Sequence, residues 1–452
     1  AYIAPAGPAK LHSGHRASLS PLLKASTNGV ASSKESADDG ANELLPVPLF
    51  TKTKAQLEDE SVDEQDGDEF NEARRVLLIY TGGTLGMTKL PDGSLAPERG
   101  GLARAIREMP EMRDPSMPDL DFIEYDPLID SSNVSPADWA RLARQIRDNY
   151  YDYDGFVIAH GTDTMAYTAS ALSFMLEGLG KAVVLTGSMI PLAEVYNDAR
   201  RNLLISMVFA AQLELCEVAI FFNDRLLRGN RAVKIDSNSL AAFDSPNFPP
   251  LATVGASVVA NRASWRAPPA SRLRMHERLD TNLVVLRLAP GFDDTAIVAM
   301  IANAPSLKGI VLSLYGTGNG PSAKAEFLGV IQEAIDRGLL VVAATQCVSG
   351  TVNLETYEVG RRLLELGVIS AGDMTTEAVV TKMAYLFGRR LSTERLRKAM
   401  NDDLRGERTV GVQSSWGELS SLGGFVGAVQ DPLRVPGSLT DVREQRTRQS
   451  PY

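Results

Sequence analysis

VLLIYTGGT, running from Val76 to Thr84, is the stretch whose reading decides the fold. Val76, Leu77, Leu78, Ile79 and Tyr80 form an unbroken apolar run of strand length, the pattern of a strand covered on both faces. Gly82 and Gly83 then give the backbone conformations closed to other residues and allow a ligand to approach the main chain. Thr84 follows beyond the carboxyl end of the strand, where open α/β sheets bind their ligands. Taken alone, TGGT reads as a strand-to-loop turn. A phosphate cradle is the other reading, but neither GxGxxG after the strand nor GKS/GKT accompanies it.

The same pattern repeats downstream. Leu85 to Gly101, rich in Gly and Pro, is predicted to be a loop able to act as a lid. Phe122 to Tyr125 reads as a short strand that opens into Asp130-Ser131-Ser132. Ser135-Pro136-Ala137-Asp138 signals a helix start, and Trp139, Leu142, Ala143, Ile146 and Tyr150 share one helical face. Gly155 to Ala159 is a buried-type strand that opens into His160-Gly161-Thr162-Asp163-Thr164 and a helix to Leu176. Ala182 to Leu185 and Val218 to Phe222 are further strands, separated by a helix over Ala199 to Leu213. Strands and helices alternating at this spacing predict a mainly parallel α/β sheet. Prolines between Pro246 and Pro269 mark an irregular region, and 263–282 is taken as a linker. A second strand–helix series occupies 283–408, so two α/β domains are expected, 74–262 and 283–408.

Composition narrows the function. The chain has 452 residues, 44% hydrophobic and 23% charged, with a net charge of −10. That balance suits a soluble globular protein and argues against a general nucleic-acid binder, which needs a basic excess. No apolar run is long enough for a membrane helix. Four histidines, two of them near the N-terminus, and the distant Cys216 and Cys347 give no metal-ligand spacing, so no metal is expected. Cys347, following a strand without a nearby histidine, is read as a buried structural thiol. Residues 1–70 and 409–452 are polar and are expected to be disordered. The first of these starts without Met, which leaves the true N-terminus open, and is basic up to Lys34. It reads as a solvated tail with some likeness to an organelle-import segment.

Parallel strands would bring Thr84, the Asp130-Ser131-Ser132 run, Thr162-Asp163 and the segment from Asn223 to Lys234 to one sheet edge. Two threonine hydroxyls, two carboxylates, serines and a lysine suit a small zwitterionic substrate. Each residue also has a plainer reading. Asp163 fits a helix cap, Thr162 a turn hydroxyl, Lys234 a surface lysine, and His160 a satisfied core histidine.

Together these motifs resemble the bacterial-type L-asparaginases, and most closely their type I, cytosolic branch. The matching residues are TGGTLGM at 81–87, DSS at 130–132, HGTDTMAYTASALSFMLE at 160–177, LTGSMIP at 185–191, RGNRAVK at 228–234, TQCVSG at 345–350 and DLRGE at 403–407. The resemblance implies a larger N-terminal and a smaller C-terminal α/β domain. It implies hydrolysis of L-asparagine to L-aspartate and ammonia through an acyl-threonine intermediate, without a cofactor. Thr84 would be the nucleophile. Ser131 and Ser132 would hold the substrate α-carboxylate, with Asp130 in the same pocket, while Thr162, Asp163 and Lys234 would form a second triad. Asp163 would also bind the α-amino group. A homodimer or homotetramer with sites at subunit contacts is implied, as is a cytoplasmic location, with organelle import left open by the N-terminal extension.

The chain departs from the family pattern at Ser94, where many members carry a lid tyrosine. Tyr357, offered by a neighbouring subunit, is the candidate substitute. Ser313 and Val233 replace an arginine and a threonine of the allosteric asparagine site of some type I enzymes, whereas Cys347 matches. The alternatives are a mixed glutaminase–asparaginase, the amidase subunit of a tRNA amidotransferase, and a non-catalytic amino-acid-binding protein.

Overall fold

The computed structural model describes residues 47–50, 74–321 and 325–410. The expectations for the remaining residues of both tails lie outside this range. In chain order the strands are β1 (Val47–Phe50), β2 (Arg75–Tyr80), β3 (Met87–Lys89), β4 (Leu95–Pro97), β5 (Asp119–Glu124), β6 (Gly155–Ala159), β7 (Leu176–Glu177), β8 (Val183–Thr186), β9 (Val218–Phe222) and β10 (Arg225–Arg228). They continue with β11 (Val233–Lys234), β12 (Phe243–Asp244), β13 (Ala252–Val254), β14 (Val258–Ala260), β15 (Arg274–Met275), β16 (Leu283–Arg287), β17 (Gly309–Leu314), β18 (Leu340–Thr345) and β19 (Ile369–Ser370). The helices are α1 (Gly101–Glu108), α2 (Pro136–Asp148), α3 (Met165–Met175), α4 (Ala199–Gln212), α5 (Asp294–Asn303), α6 (Ala325–Asp336), α7 (Glu358–Leu366), α8 (Thr376–Gly388) and α9 (Thr393–Asn401).

A nine-stranded sheet runs in the order β1-β5-β2-β6-β8-β9-β10-β13-β14. Its centre, β5-β2-β6-β8-β9, is parallel throughout. The apolar run of β2 is unbroken because both faces are covered. Leu77 and Ile79 pack with α2 and α3, while Val76, Leu78 and Tyr80 pack with α1 and α4. Each such buried side chain contributes about 1.5–3 kcal/mol. Helix α2 starts as its sequence signals: the Ser135 N–H donates to the Asp138 carboxylate at 2.8 Å and the Ser135 hydroxyl at 2.6 Å.

A separate sheet, β16-β17-β18-β19, is also parallel. Helices α5, α6 and α7 contribute to the core on one face and α8 to the core on the other. Helix α8 also packs on α3, where the Ser170 and Thr381 hydroxyls lie 2.6 Å apart in the buried interface.

Four local expectations need revision. The 85–101 stretch contains a hairpin, β3 against β4, closed by the Leu90 N–H donating to the Ser94 carbonyl at 2.8 Å. Three-residue strands with exposed positions leave too little apolar periodicity to read. Strand β1, within the stretch expected to be disordered, adds to the edge of β5 in antiparallel fashion. The 263–282 stretch is stitched back by β15, which pairs with β7. Finally, Cys347 is exposed, not a buried thiol. The buried run of β18 ends at Ala344, and the cysteine lies beyond it in a turn held by its N–H on the Thr345 hydroxyl at 3.0 Å.

Candidate active site

The chain leaves β2 to one side for β5 and crosses back to the other side for β6. Strand-end loops from all three therefore flank one switch point, the ligand site of open α/β sheets. Gly82 and Gly83 have φ of 134° and 94°, values that favour glycine. Close packing makes the same demand. A Cβ at Gly82 would lie 2.3 Å from the Ile129 carbonyl oxygen, and one at Gly83 would lie 2.4 Å from Gly161 Cα. The Ile129 N–H donates to the Thr81 carbonyl at 2.7 Å, and the Thr164 hydroxyl to the Ser131 carbonyl at 2.6 Å. The TGGT turn, the serine loop and the HGTDT loop thus meet at Gly161. Thr84 and Thr162, the residues after the two touching glycines, share that edge. Gly83→Ala is expected to destabilise the fold by about 2 kcal/mol or more and to lower turnover at least about tenfold. Urea unfolding and ammonia release read the two effects.

The Lys234 ammonium donates to the Thr162 hydroxyl at 2.9 Å and to Asp163 at 2.7 Å. Thr162 is buried, Lys234 is 18% exposed and Asp163 is 67% exposed. The carboxylate therefore remains open to a second cation. Asp163 does not cap the next helix: the residue before α3 is Thr164, and the Asp163 carboxylate goes to Lys234. The amino end of α3 places its partial positive charge beside this loop. Ser131 is buried, whereas Asp130 and Ser132 are exposed, and Asp130 accepts from the Ser132 N–H at 3.0 Å. The half-buried Thr84 has no hydrogen-bond partner for its hydroxyl among the described residues.

Neither Ser94, at the family's lid-tyrosine position, nor this chain's own Tyr357, expected to act from a neighbouring subunit, hydrogen-bonds to Thr84 among the described residues. Ser94 is exposed in the hairpin turn, with its hydroxyl on Asp92 at 2.6 Å. Tyr357 is exposed at the N-terminal boundary of α7 and, among the described residues, bonds to none of the site residues. Tyr80 lies under the turn and donates to the Gly83 carbonyl at 3.3 Å. Burial, with Glu124 adding to it, pushes its hydroxyl well above the usual phenol range. It is a strut for the turn rather than a base at neutral pH.

Not all of the 223–234 segment reaches this edge. Strand β10 runs antiparallel to β9, so Arg228 returns to the opposite end, beside Ala219. There it pairs with buried Glu217 at 2.5 Å, while Arg231 pairs with Asp373 at 2.8 Å and donates to the Gly406 carbonyl at 2.7 Å. Both arginines are buried structural groups. Of the 228–234 stretch, Lys234 comes back to the site, on β11 paired with β12. No group of His, Cys, Asp or Glu able to hold a metal occurs among the described residues. His160 is a satisfied core residue, not a ligand.

Ser188 lies in the LTGSMIP match at 185–191 and is given no site role by the sequence. It follows β8, its hydroxyl is buried without a partner among the described residues, and the adjoining Gly187 packs on Thr162 and the His160 carbonyl. The TGS turn at a fourth parallel strand end was the available signal.

The chain is similar to known proteins. Residues 75–266 match the family model "Asparaginase, N-terminal", and residues 282–400 match "Glutaminase/Asparaginase C-terminal domain". The chain is 47% identical over 340 residues to L-asparaginase 1 of Escherichia coli K12, covering 74% of this chain and 98% of the relative. The solved L-asparaginase I of Vibrio cholerae superposes with a TM-score of 0.69 at 40% identity, covering 75% of this chain and all of the other. The thermostable L-asparaginase of Thermococcus kodakarensis gives 0.68 at 36% identity with the same coverage. The two-domain α/β fold agrees with these relatives, and the chain belongs to the asparaginase family, in its type I branch.

Proposed function

We propose that this protein hydrolyses L-asparagine to L-aspartate and ammonia, with Thr84 as the nucleophile. The observation that carries the reading is the contact of Gly83 with Gly161. It brings the backbone just before Thr84 against the backbone just before Thr162, whose hydroxyl accepts from a Lys234 that also pairs with Asp163, and this supports the reading. The family and the names of its relatives supply the substrate class.

In this reading the Asp163 carboxylate takes the substrate α-ammonium by a charge-assisted hydrogen bond. Ser131 and Ser132, with Asp130 in the same loop, hold the α-carboxylate end. Thr84 Oγ1 attacks the side-chain carbonyl carbon, and the C–N bond breaks as the hydroxyl proton passes to the leaving nitrogen. This gives ammonia and a threonine ester. Water, oriented by Thr162 and Lys234, then attacks the ester carbonyl, returning the proton to Thr84 and releasing aspartate. Among the described residues no side chain hydrogen-bonds to the Thr84 hydroxyl. Tyr357 of a neighbouring copy in a homodimer or homotetramer is the proposed helper, which makes assembly part of the active site.

No described helix is long and apolar enough to cross a membrane, and a cytoplasmic location is proposed from the type I branch. Kinetics on L-asparagine and L-glutamine side by side test the activity. Asparagine is expected to be preferred by about 10- to 200-fold in kcat/KM, the range one methylene can supply. Equal or reversed preference would make the protein a mixed glutaminase or a glutaminase. Calorimetric binding of asparagine without ammonia release would make it a non-catalytic amino-acid-binding protein.

A further inference from the structure

A buried polar chain lies behind the reactive edge and takes no direct part in the proposed chemistry. The Trp139 indole N–H donates to the Thr168 hydroxyl at 3.0 Å. Thr168 Oγ1 lies 3.0 Å from His160 Nε2, and His160 Nδ1 lies 2.7 Å from the Gly161 carbonyl oxygen. Trp139, Thr168 and His160 are 7%, 0% and 1% exposed.

The proton positions follow from what each atom can do. An indole nitrogen only donates, and a carbonyl oxygen only accepts. His160 Nδ1 must therefore carry a proton. In the neutral ring Nε2 is then an acceptor, and the Thr168 hydroxyl donates to it while accepting from Trp139. Every group is satisfied in one direction, Trp139 to Thr168 to His160 to Gly161. Burial, the largest influence, holds the histidine below its usual pKa, against smaller opposing effects of the Gly161 bond and of Asp138. Asp138 is itself engaged by Ser135, the N-cap of α2.

The end of this chain is the residue on which the site loops converge. A Cβ at Gly161 would lie 2.6 Å from the Ser131 hydroxyl, and one at Gly83 would lie 2.4 Å from Gly161 Cα. A Cβ at Gly187 would lie 2.4 Å from the His160 carbonyl oxygen, so the β8 turn closes on the same peptides. The Gly161 carbonyl that His160 holds belongs to the peptide leading into Thr162, whose hydroxyl accepts from Lys234 at 2.9 Å.

We propose that His160 is a positioning residue: held as the neutral Nδ1–H tautomer by Thr168 and Trp139, it fixes the Gly161 carbonyl and so aims Thr162 at the reacting centre. This rests on Thr84 and Thr162 being the reactive pair. A histidine that merely satisfies buried partners would affect stability alone. One that aims Thr162 affects kcat in molecules that are fully folded.

Two measurements test it. The first is nitrogen NMR of histidine-labelled wild-type protein, which contains only four histidines. The expected signature is one ring with protonated Nδ1 and unprotonated Nε2, unchanged between pH 5 and 9 and perturbed by Thr168→Ser. Titration of that ring, or a proton on Nε2, overturns the proposal and leaves the reading of the site standing. The second compares Thr168→Val with Thr168→Ser in the full chain. Valine keeps the shape but can neither accept from Trp139 nor donate to His160. It is expected to lower kcat by about 10- to 100-fold with KM within about threefold, and serine is expected to restore kcat. An unchanged kcat per folded molecule in Thr168→Val overturns the proposal. If that variant does not fold, Trp139→Phe, which removes the donor to Thr168, is read in its place, with the same expected fall in kcat per folded molecule and the same overturning result. Retained turnover in Thr84→Val would instead remove the underlying reading of the site and leave the tautomer result untouched.

Discussion

Replacing Thr84 by valine is expected to lower asparagine turnover by about a thousandfold or more, with the chain still folded. Valine keeps the β-branched shape at a half-buried position and removes only the hydroxyl, which bonds to no described residue. Little native contact is lost, so the melting transition should stay within a few degrees of the wild type, on the order of 1 kcal/mol. The chemical loss is large because no other group on this edge stands in for the attacking oxygen. Thr162 is already committed to Lys234 at 2.9 Å. Single-turnover ammonia release with matched thermal melts separates the two effects. Asparagine binding should persist in the variant, since Asp163 and the serine loop are untouched. A Thr84→Val protein with more than about a tenth of wild-type turnover would end the threonine-nucleophile mechanism.

The second large effect concerns the end of the described chain. Lys382 on α8 and Glu407 are both fully buried and lie 2.5 Å apart. The Lys382 ammonium also donates to the Asp402 carbonyl at 2.5 Å and the Met400 carbonyl at 3.1 Å. Glu407 accepts from the Leu404 N–H at 3.0 Å and the Arg405 N–H at 2.6 Å. This clasp holds Gly406, whose carbonyl receives Arg231 at 2.7 Å, three residues before Lys234. Glu407→Ala strands a buried ammonium and is expected to cost about 3–5 kcal/mol, read by urea unfolding. Turnover should fall with it, because the arginine stretch leading to Lys234 loses its support. The double variant Lys382→Met/Glu407→Ala should recover part of the loss, since it leaves no unpaired charge.

The same clasp sets an acid limit. Burial pushes the Glu407 carboxyl up, but the Lys382 charge and the bonds from Asp403, Lys382 and Arg405 outweigh it and hold the pKa at about 2. An ordinary glutamate titrates near 4.5. A carboxyl whose pKa is depressed by folding contributes stability above its unfolded value and loses it as pH falls through the folded one. The contribution is therefore complete above about pH 4.5 and declines toward pH 2. In Glu407→Ala the slope of stability against pH in that window should flatten.

Much of the fold was legible because its strands are covered on both faces and its helices alternate with them. Gly155 to Ala159 and Val218 to Phe222 were readable to the residue. The short elements were not. Strands β3 and β4 carry no apolar repeat, and β1 belongs to the sheet only by lying against β5. Cys347 looked buried because it follows an apolar strand, yet the turn after β18 carries it to the surface.

The amino-acid sequence by itself determined which chemical groups are available. Two glycines stand before Thr84, Gly161 stands before Thr162, and Asp163, the serines and a downstream lysine complete the set. Those are local facts, legible because strand periodicity and glycine freedom act within a few residues. Only the tertiary structure decided which groups meet. Lys234 reaches Thr162 across 72 positions of chain, whereas Arg228 and Arg231 in the same motif turn away and are buried elsewhere. The direction of β10 makes that choice, since an antiparallel return sends one part of a motif to the far end of the sheet. His160 likewise takes its role from Thr168 and Trp139, which no local pattern ties to it.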